Sequence, residues 1–228
     1  MPPISDQPSQ AEAQALSSKH SLHNDSFNDL VAATRNTILN EQIFPSFDDL
    51  EAAARHNRRP FAYIGDITSY ESFLRLVITL KDPKTHQPVV VAFYDDGRGT
   101  SISRNNRDLT EGNTVMIFGA RPKTFLDGRQ GIRIENEDLN NVLILPFSYD
   151  KLVAANERYL DLGKQSNACS SCKTRVADTK VLSGCGRCKV TRYCNKECQT
   201  ADWDKHKLEC RAMGEIRTLF RIELPARA

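Results

Sequence analysis

The sequence predicts an α+β protein in three successive parts: N-terminal helices, a block of short antiparallel strands closing into a small barrel, and a compact cysteine-rich end. Three observations carry this. All seven cysteines fall between Cys169 and Cys210. Residues 61–147 break into six short β-rich runs separated by turn formers. On either side of that block, apolar residues recur at helical spacing rather than in alternation.

The 228 residues are 39% hydrophobic and 26% charged, the balance of an ordinary globular protein. No apolar run approaches the roughly 20 residues that cross a bilayer. The opening MPPISDQPSQAEAQALSSKH lacks the basic start and apolar core of a secretory signal. An intracellular location, nucleus or cytoplasm, is therefore expected. Net charge is +2, unevenly spread: residues 1–60 carry −3, residues 61–150 carry −2 and residues 151–228 carry +7. Seven thiolates on two divalent cations would lower that +7 to about +4, which weakens it as a nucleic-acid signal.

Residues 1–24, rich in Pro, Gln, Ser and Ala, read as a disordered tail. Residues 25–60 read as a helical arm. Ser26 is a candidate N-cap, with Phe27, Leu30, Val31, Thr34 and Ile38 at helical spacing behind it. Ser46 is a second candidate cap. Asp48, Asp49 and Glu51 fall in its first turn, and Arg55, Arg58 and Arg59 precede Pro60, a polarity that suits the helix dipole.

The six runs of residues 61–147 are FAYIGDITSY, FLRLVITLKD, PVVVAFYDD, NTVMIFGARP, GIRIENED and NVLILP. Their number, order and spacing resemble the OB fold, a five-stranded Greek-key barrel. Gly65 and Gly119 suit corners where a bulky side chain hinders bending. Residues 148–163 read as a connecting helix, capped by Ser148 and ended by Gly163, with Leu152, Val153, Asn156, Tyr159 and Leu160 near one face. Residues 211–228 read as a last helix and tail.

The cysteines follow the pattern Cys169-x2-Cys172-x12-Cys185-x2-Cys188-x5-Cys194-x3-Cys198-x7-His206-x3-Cys210. An odd count, tight clustering and no signal argue against a disulfide framework. A redox Cys-x2-Cys needs a βαβ context that is absent here. Eight soft or borderline donors suffice for two tetrahedral zinc sites, and none of the other four histidines is needed.

This spacing, with the string YCNKECQTADWDKHKLEC, closely resembles the MYND zinc finger over residues 169–210. All eight ligand positions match, as do Tyr193, Gln199, Trp203 and Lys207. The resemblance implies two Zn²⁺ ions bound in an interleaved way. One is held by Cys169, Cys172, Cys194 and Cys198, the other by Cys185, Cys188, His206 and Cys210. It also implies a peptide groove at Ser183, Gln199 and Trp203 that takes short proline-rich segments.

Two functions follow as expectations. The first is a protein-interaction adaptor or regulator with a protein partner. The alternative is single-stranded nucleic-acid binding through the barrel, with Phe61, Tyr63, Phe93, Tyr94 and Phe125 stacking bases and cations such as Arg75, Arg129 and Arg133 meeting phosphates. No membrane partner is expected. Fingers of this kind also occur beside SET methyltransferase domains. No SET motif, P-loop, GxSxG or HExxH is found in the chain. Zinc sites with four protein ligands leave no open position. No catalytic residue is assigned, and the chain is expected not to be an enzyme.

Overall fold

A computed structural model describes residues 37–56, 61–105, 107–165, 167–177 and 181–220. The expected tail over 1–24, most of the helix expected from Ser26, and the chain after residue 220 lie outside the described residues.

All six β-rich runs form strands: β1 Ala62–Glu71, β2 Val77–Lys81, β3 Pro88–Phe93, β4 Thr114–Phe118, β6 Gln130–Ile134 and β7 Val142–Leu145. A short β5, Pro122–Thr124, and a hairpin of β8, Ser183–Gly184, and β9, Arg192–Tyr193, add to them. The helices are α1 Leu50–His56, α2 Thr100–Asn105, α3 Tyr149–Lys164 and α4 Lys196–Phe220.

The main sheet has seven strands in the order β5-β6-β3-β2-β1-β4-β7. The pairs are antiparallel except β3 with β6, which run parallel with Val90 opposite Gly131. Only residues 119–121 separate β4 from β5, so the chain passes within about 14 Å from one flank of the sheet to the other. Gly119, at φ 61, makes that bend. The sheet therefore curls on itself, but its ladders do not close. The expected closed five-stranded barrel is corrected to an open, curled seven-stranded sheet. The physical reason is twofold: the fourth strand breaks at Gly119, and β7 takes the outer edge of β4 from Thr114 to Ile117.

Strand alternation sends side chains into two cores. Tyr63 and Ile67 of β1, Ile78 and Leu80 of β2, Val91 and Phe93 of β3, and Val115 and Ile117 of β4 meet inside the curl. Ala62 and Ile64 of β1 and Met116 and Phe118 of β4 face the other way. There they meet Leu152 and Tyr159 of α3 and Met213 and Ile216 of α4. That is why TVMIF is apolar throughout: all five residues of β4 are buried. Each fully buried Leu, Ile or Phe contributes about 1.5–3 kcal/mol.

Ser148 caps α3 as expected, its side chain accepting from Lys151 N at 3.4 Å. The helix does not stop at Gly163. It runs to Lys164, with Gln165 as C-cap donating to Leu162 O, because Gly163 does not adopt the left-handed conformation that would end it. Asn156, buried on α3, accepts from Ile38 N at 3.1 Å and ties the segment before α1 to this helix. The arm helix starts at Leu50, four residues after Ser46, whose hydroxyl accepts from Asp49 N. No break separates a finger from a last helix: α4 spans 25 residues through Cys210.

Candidate metal centre

Two tight turns of the same design open the cysteine region. In the first, Cys169 N donates to Thr174 O and Lys173 N donates to Cys169 O, both at 3.0 Å. In the second, Cys185 N donates to Thr191 O at 2.8 Å and Lys189 N donates to Cys185 O at 2.9 Å. Lys173 at φ 62 and Lys189 at φ 61 each follow the second cysteine of a Cys-x2-Cys pair. A non-glycine residue in the left-handed region persists only where its surroundings hold it. The β8–β9 hairpin carries the second turn. Asn195 caps α4, its side chain accepting from Cys198 N at 3.0 Å. That helix carries Cys198, His206 and Cys210.

These elements gather the eight side chains into two groups of four, Cys169, Cys172, Cys194 and Cys198, and Cys185, Cys188, His206 and Cys210. Donor atoms within each group lie within 4.8 Å of one another. The second group is wholly buried, whereas Cys172 of the first is exposed and Cys194 and Cys198 are half-buried.

The separations suit a shared ion. A tetrahedral zinc with Zn–S near 2.3 Å and Zn–N near 2.0–2.1 Å implies donor–donor edges of about 3.8 Å for S···S and about 3.6 Å for S···N. Cys172 Sγ and Cys194 Sγ are 3.7 Å apart. Cys185 Sγ and Cys210 Sγ are 3.9 Å apart. Cys188 Sγ and His206 Nε2 are 3.6 Å apart. A disulfide needs about 2.05 Å, so these pairs are not bridged. The donor sets S₄ and S₃N are those of structural zinc. Two zinc ions fit these residues, with no ligand position left over.

Electrostatics point the same way. With no cation present, neighbouring thiolates oppose one another. The Thr174 side chain, hydrogen-bonded to Cys172 across 3.3 Å, is the main cause that takes the Cys172 thiol down to about 6. Hydrogen bonding to Cys172 is the main cause that pushes Cys194 up to about 12. Burial, then the neighbouring Cys188, pushes Cys210 up to about 12. A divalent cation relieves this conflict by favouring every thiolate at once.

Residues beyond the eight donors support the ligands: Thr191 and Asp202, which the sequence did not single out, and Tyr193, which the resemblance matched without a role. Thr191, buried, lies 3.2 Å by its Oγ1 from His206 Nδ1, leaving Nε2 toward Cys188. Tyr193 donates its hydroxyl to Asp202 at 2.8 Å, and its ring meets His206 edge-on with centroids 6.2 Å apart. The available signal was a threonine within three residues after each Cys-x2-Cys pair.

Of the expected peptide-binding residues, Gln199 and Trp203 are one turn apart on α4 and so share a side of the helix. Trp203 is 40% exposed, its ring edge-on to His206 at 6.0 Å. Ser183 is exposed in β8, opposite Tyr193. The aromatics expected to stack bases are dispersed. Tyr63 and Phe93 are fully buried in the inner core. Only Tyr94 and Phe125 pair near the surface, nearly parallel at 6.5 Å. Among the described residues no helix is long and apolar enough to cross a membrane.

Residues 169–210 match the family model of the MYND finger. This segment is a MYND finger, and thereby a zinc-binding protein-interaction module. Curated relatives share the same region. Human N-lysine methyltransferase SMYD2 is 44% identical over 71 residues, 30% of this chain and 16% of the relative. Zebrafish N-lysine methyltransferase SMYD2-A is 44% identical over 70 residues, 29% of this chain and 15% of the relative. Chicken N-lysine methyltransferase SMYD2 is 48% identical over 54 residues, 24% of this chain and 12% of the relative. The chain thus covers about a sixth or less of the length of these relatives. The expectation that the chain is not an enzyme is overturned by these matches, since the relatives are named as methyltransferases.

Proposed function

We propose that this chain is a zinc-held adaptor or regulator, working in the nucleus or cytoplasm, whose finger docks short proline-rich segments of a protein partner. In this reading Cys169, Cys172, Cys194 and Cys198 hold one zinc, and Cys185, Cys188, His206 and Cys210 the other. Bound zinc supplies cross-linking of two turns and a helix that are too small to fold on their own core. With four protein donors per ion, its role is to hold a surface in shape.

The observation that carries the reading is Trp203. A large apolar ring stays half-exposed although the turn beneath it is fixed by His206 and Cys210. A flat indole suits proline rings, and a preformed extended peptide loses little entropy on docking. Gln199, one turn earlier, offers donors and an acceptor for the peptide backbone. Ser183 would edge the same groove. The lysine methylation in the relatives' names belongs to proteins of which the matched finger is a small part. What is common to both is the finger, and partner binding is the role we assign to it.

The curled sheet we read as a distorted OB-like barrel. The β1–β2–β3 meander, the return of β4 against β1, and the parallel β3–β6 pair support this.

Trp203 is the sole tryptophan, so its fluorescence reports on its own surroundings. Titrating the zinc-loaded chain with a proline-rich peptide is expected to give a saturable spectral change, with no change for a proline-free control. By anisotropy of a labelled peptide, Trp203→Ala and Gln199→Ala are expected to lose binding while retaining two zinc ions. A folded Trp203→Ala protein that binds equally well dismisses the site.

A further inference from the structure

A second surface lies on the curled sheet, away from both cysteine clusters. Val77 of β2 and Val90 and Ala92 of β3 share the face opposite the inner core. They floor a groove of about 430 Å³. On one side stands the β1–β2 loop, with Phe73 93% and Leu74 68% exposed. On the other stands the β5–β6 turn, with Leu126 fully exposed. That turn is held down by a glycine. A Cβ on Gly131 would lie 2.3 Å from Val90 O and 2.6 Å from the Phe125 ring, so the absence of a side chain lets the ring pack there. Three large apolar side chains in water around an apolar floor form a contiguous patch of the kind that marks an interface.

The charges select the occupant. Arg129 is paired with Asp127, and Arg133 with Glu135. Among the described residues, Glu71 and Arg75 are the groove's charged groups with no ion-pair partner. Arg75 is held in place over the Tyr94 ring, 3.7 Å from its centroid, while donating to Phe93 O at 3.5 Å. The run Glu71-Ser72-Phe73-Leu74-Arg75 is symmetric in position and opposite in charge about Phe73. A two-fold axis at Phe73 sets Glu71 of one copy against Arg75 of the other, twice, with each copy's apolar wall covering the other's floor.

We propose that this face is a two-fold interface with a second copy of this chain. A nucleic-acid strand fits it poorly. Of the two arginines that line it, Arg129 is neutralised by Asp127, and Tyr94 has guanidinium groups at 3.7 Å and 4.0 Å that take the place of a stacking base.

The test is sedimentation velocity on the zinc-loaded full-length chain, up to about 100 µM so that a small interface is populated. A concentration-dependent dimer is expected. Phe73→Ser and Leu126→Ser should each weaken it at least about tenfold. Glu71→Arg alone and Arg75→Glu alone should each give monomers, because like charges then face each other. An equimolar mixture of those two variants should re-form a dimer, as should the double variant. Zinc content and circular dichroism of each variant confirm folding. A wild-type chain that stays monomeric overturns the proposal, whatever else binds the groove. So does a dimer indifferent to Phe73, Leu126 and the charge reversals.

Discussion

Thr191 Oγ1 sits 3.2 Å from His206 Nδ1, both residues buried, so the threonine hydroxyl fixes which ring nitrogen faces Cys188. Such partners orient a metal-binding histidine, and their loss typically costs about 10–100-fold in metal affinity. Thr191→Val is expected to weaken one of the two zinc sites by that factor and leave the other unchanged. Competition with a chromogenic chelator, resolved into two phases, measures this. Wild-type affinity at both sites in the variant would remove Thr191 from the metal centre.

Zinc removal should be felt beyond the finger. Cys169, Cys185, Cys188 and Cys210 belong to the same core as Leu152 and Tyr159 of α3 and Met213 and Ile216 of α4. Excess chelator is expected to abolish amide protection over residues 169–210 and to lower it along α3. Hydrogen exchange with mass readout checks both. Unchanged amide protection across 169–210 would refute the dependence of this segment on metal.

Asp66 links three elements, its Oδ1 accepting from the Thr114 hydroxyl at 2.7 Å and from Tyr149 N at 2.8 Å. Burial nevertheless raises its pKa above the ordinary carboxylate value, and the two hydrogen bonds only partly offset this. A raised folded pKa means the folded state binds the proton more readily. The stability so gained is fully present below the unfolded value near 3.8 and is lost as pH rises through the folded value. Asp66→Asn keeps the acceptor without the charge. Relative to wild type it should be most favourable near neutral pH, with the advantage shrinking as pH falls toward the carboxylate range. Urea denaturation of both proteins across that range tests the sign.

Gly99, at φ +77, is pressed against the inner core, where a Cβ would lie 2.4 Å from Leu76 Cβ and 3.0 Å from Phe93 Cβ. Gly99→Ala therefore adds a left-handed penalty to an overpacked contact, each about 1–3 kcal/mol. A loss of about 2–6 kcal/mol in denaturant stability is expected. Gly112→Ala, with a similar φ of +83 but nothing near its Cβ, should lose only the backbone part.

Much of the fold was legible because local patterns dictate it. The six β-rich runs became strands since alternation and turn formers act over a few residues. Ser148 was readable as a cap for the same reason. The end of α3 was not, because Gly163 permits a left-handed turn without requiring one. Barrel closure was not either. It depends on which strand takes the free edge of β4, and β7 does so through pairs such as Thr114 with Leu145 that no local pattern announces.

The sequence by itself determined the metal chemistry. Seven thiols and one imidazole at short spacings suffice for two tetrahedral zinc sites, and the resemblance to the MYND finger implied how they are shared between the two ions. Only the tertiary structure decided which residues surround that chemistry and which surfaces remain. Thr191 meets His206, Tyr63 and Phe93 sink into the core while Tyr94 stays at the surface, and Phe73, Leu74 and Leu126 converge on one groove. Those outcomes rest on contacts between segments far apart in the chain, and it is chain folding, not local spacing, that brings them together.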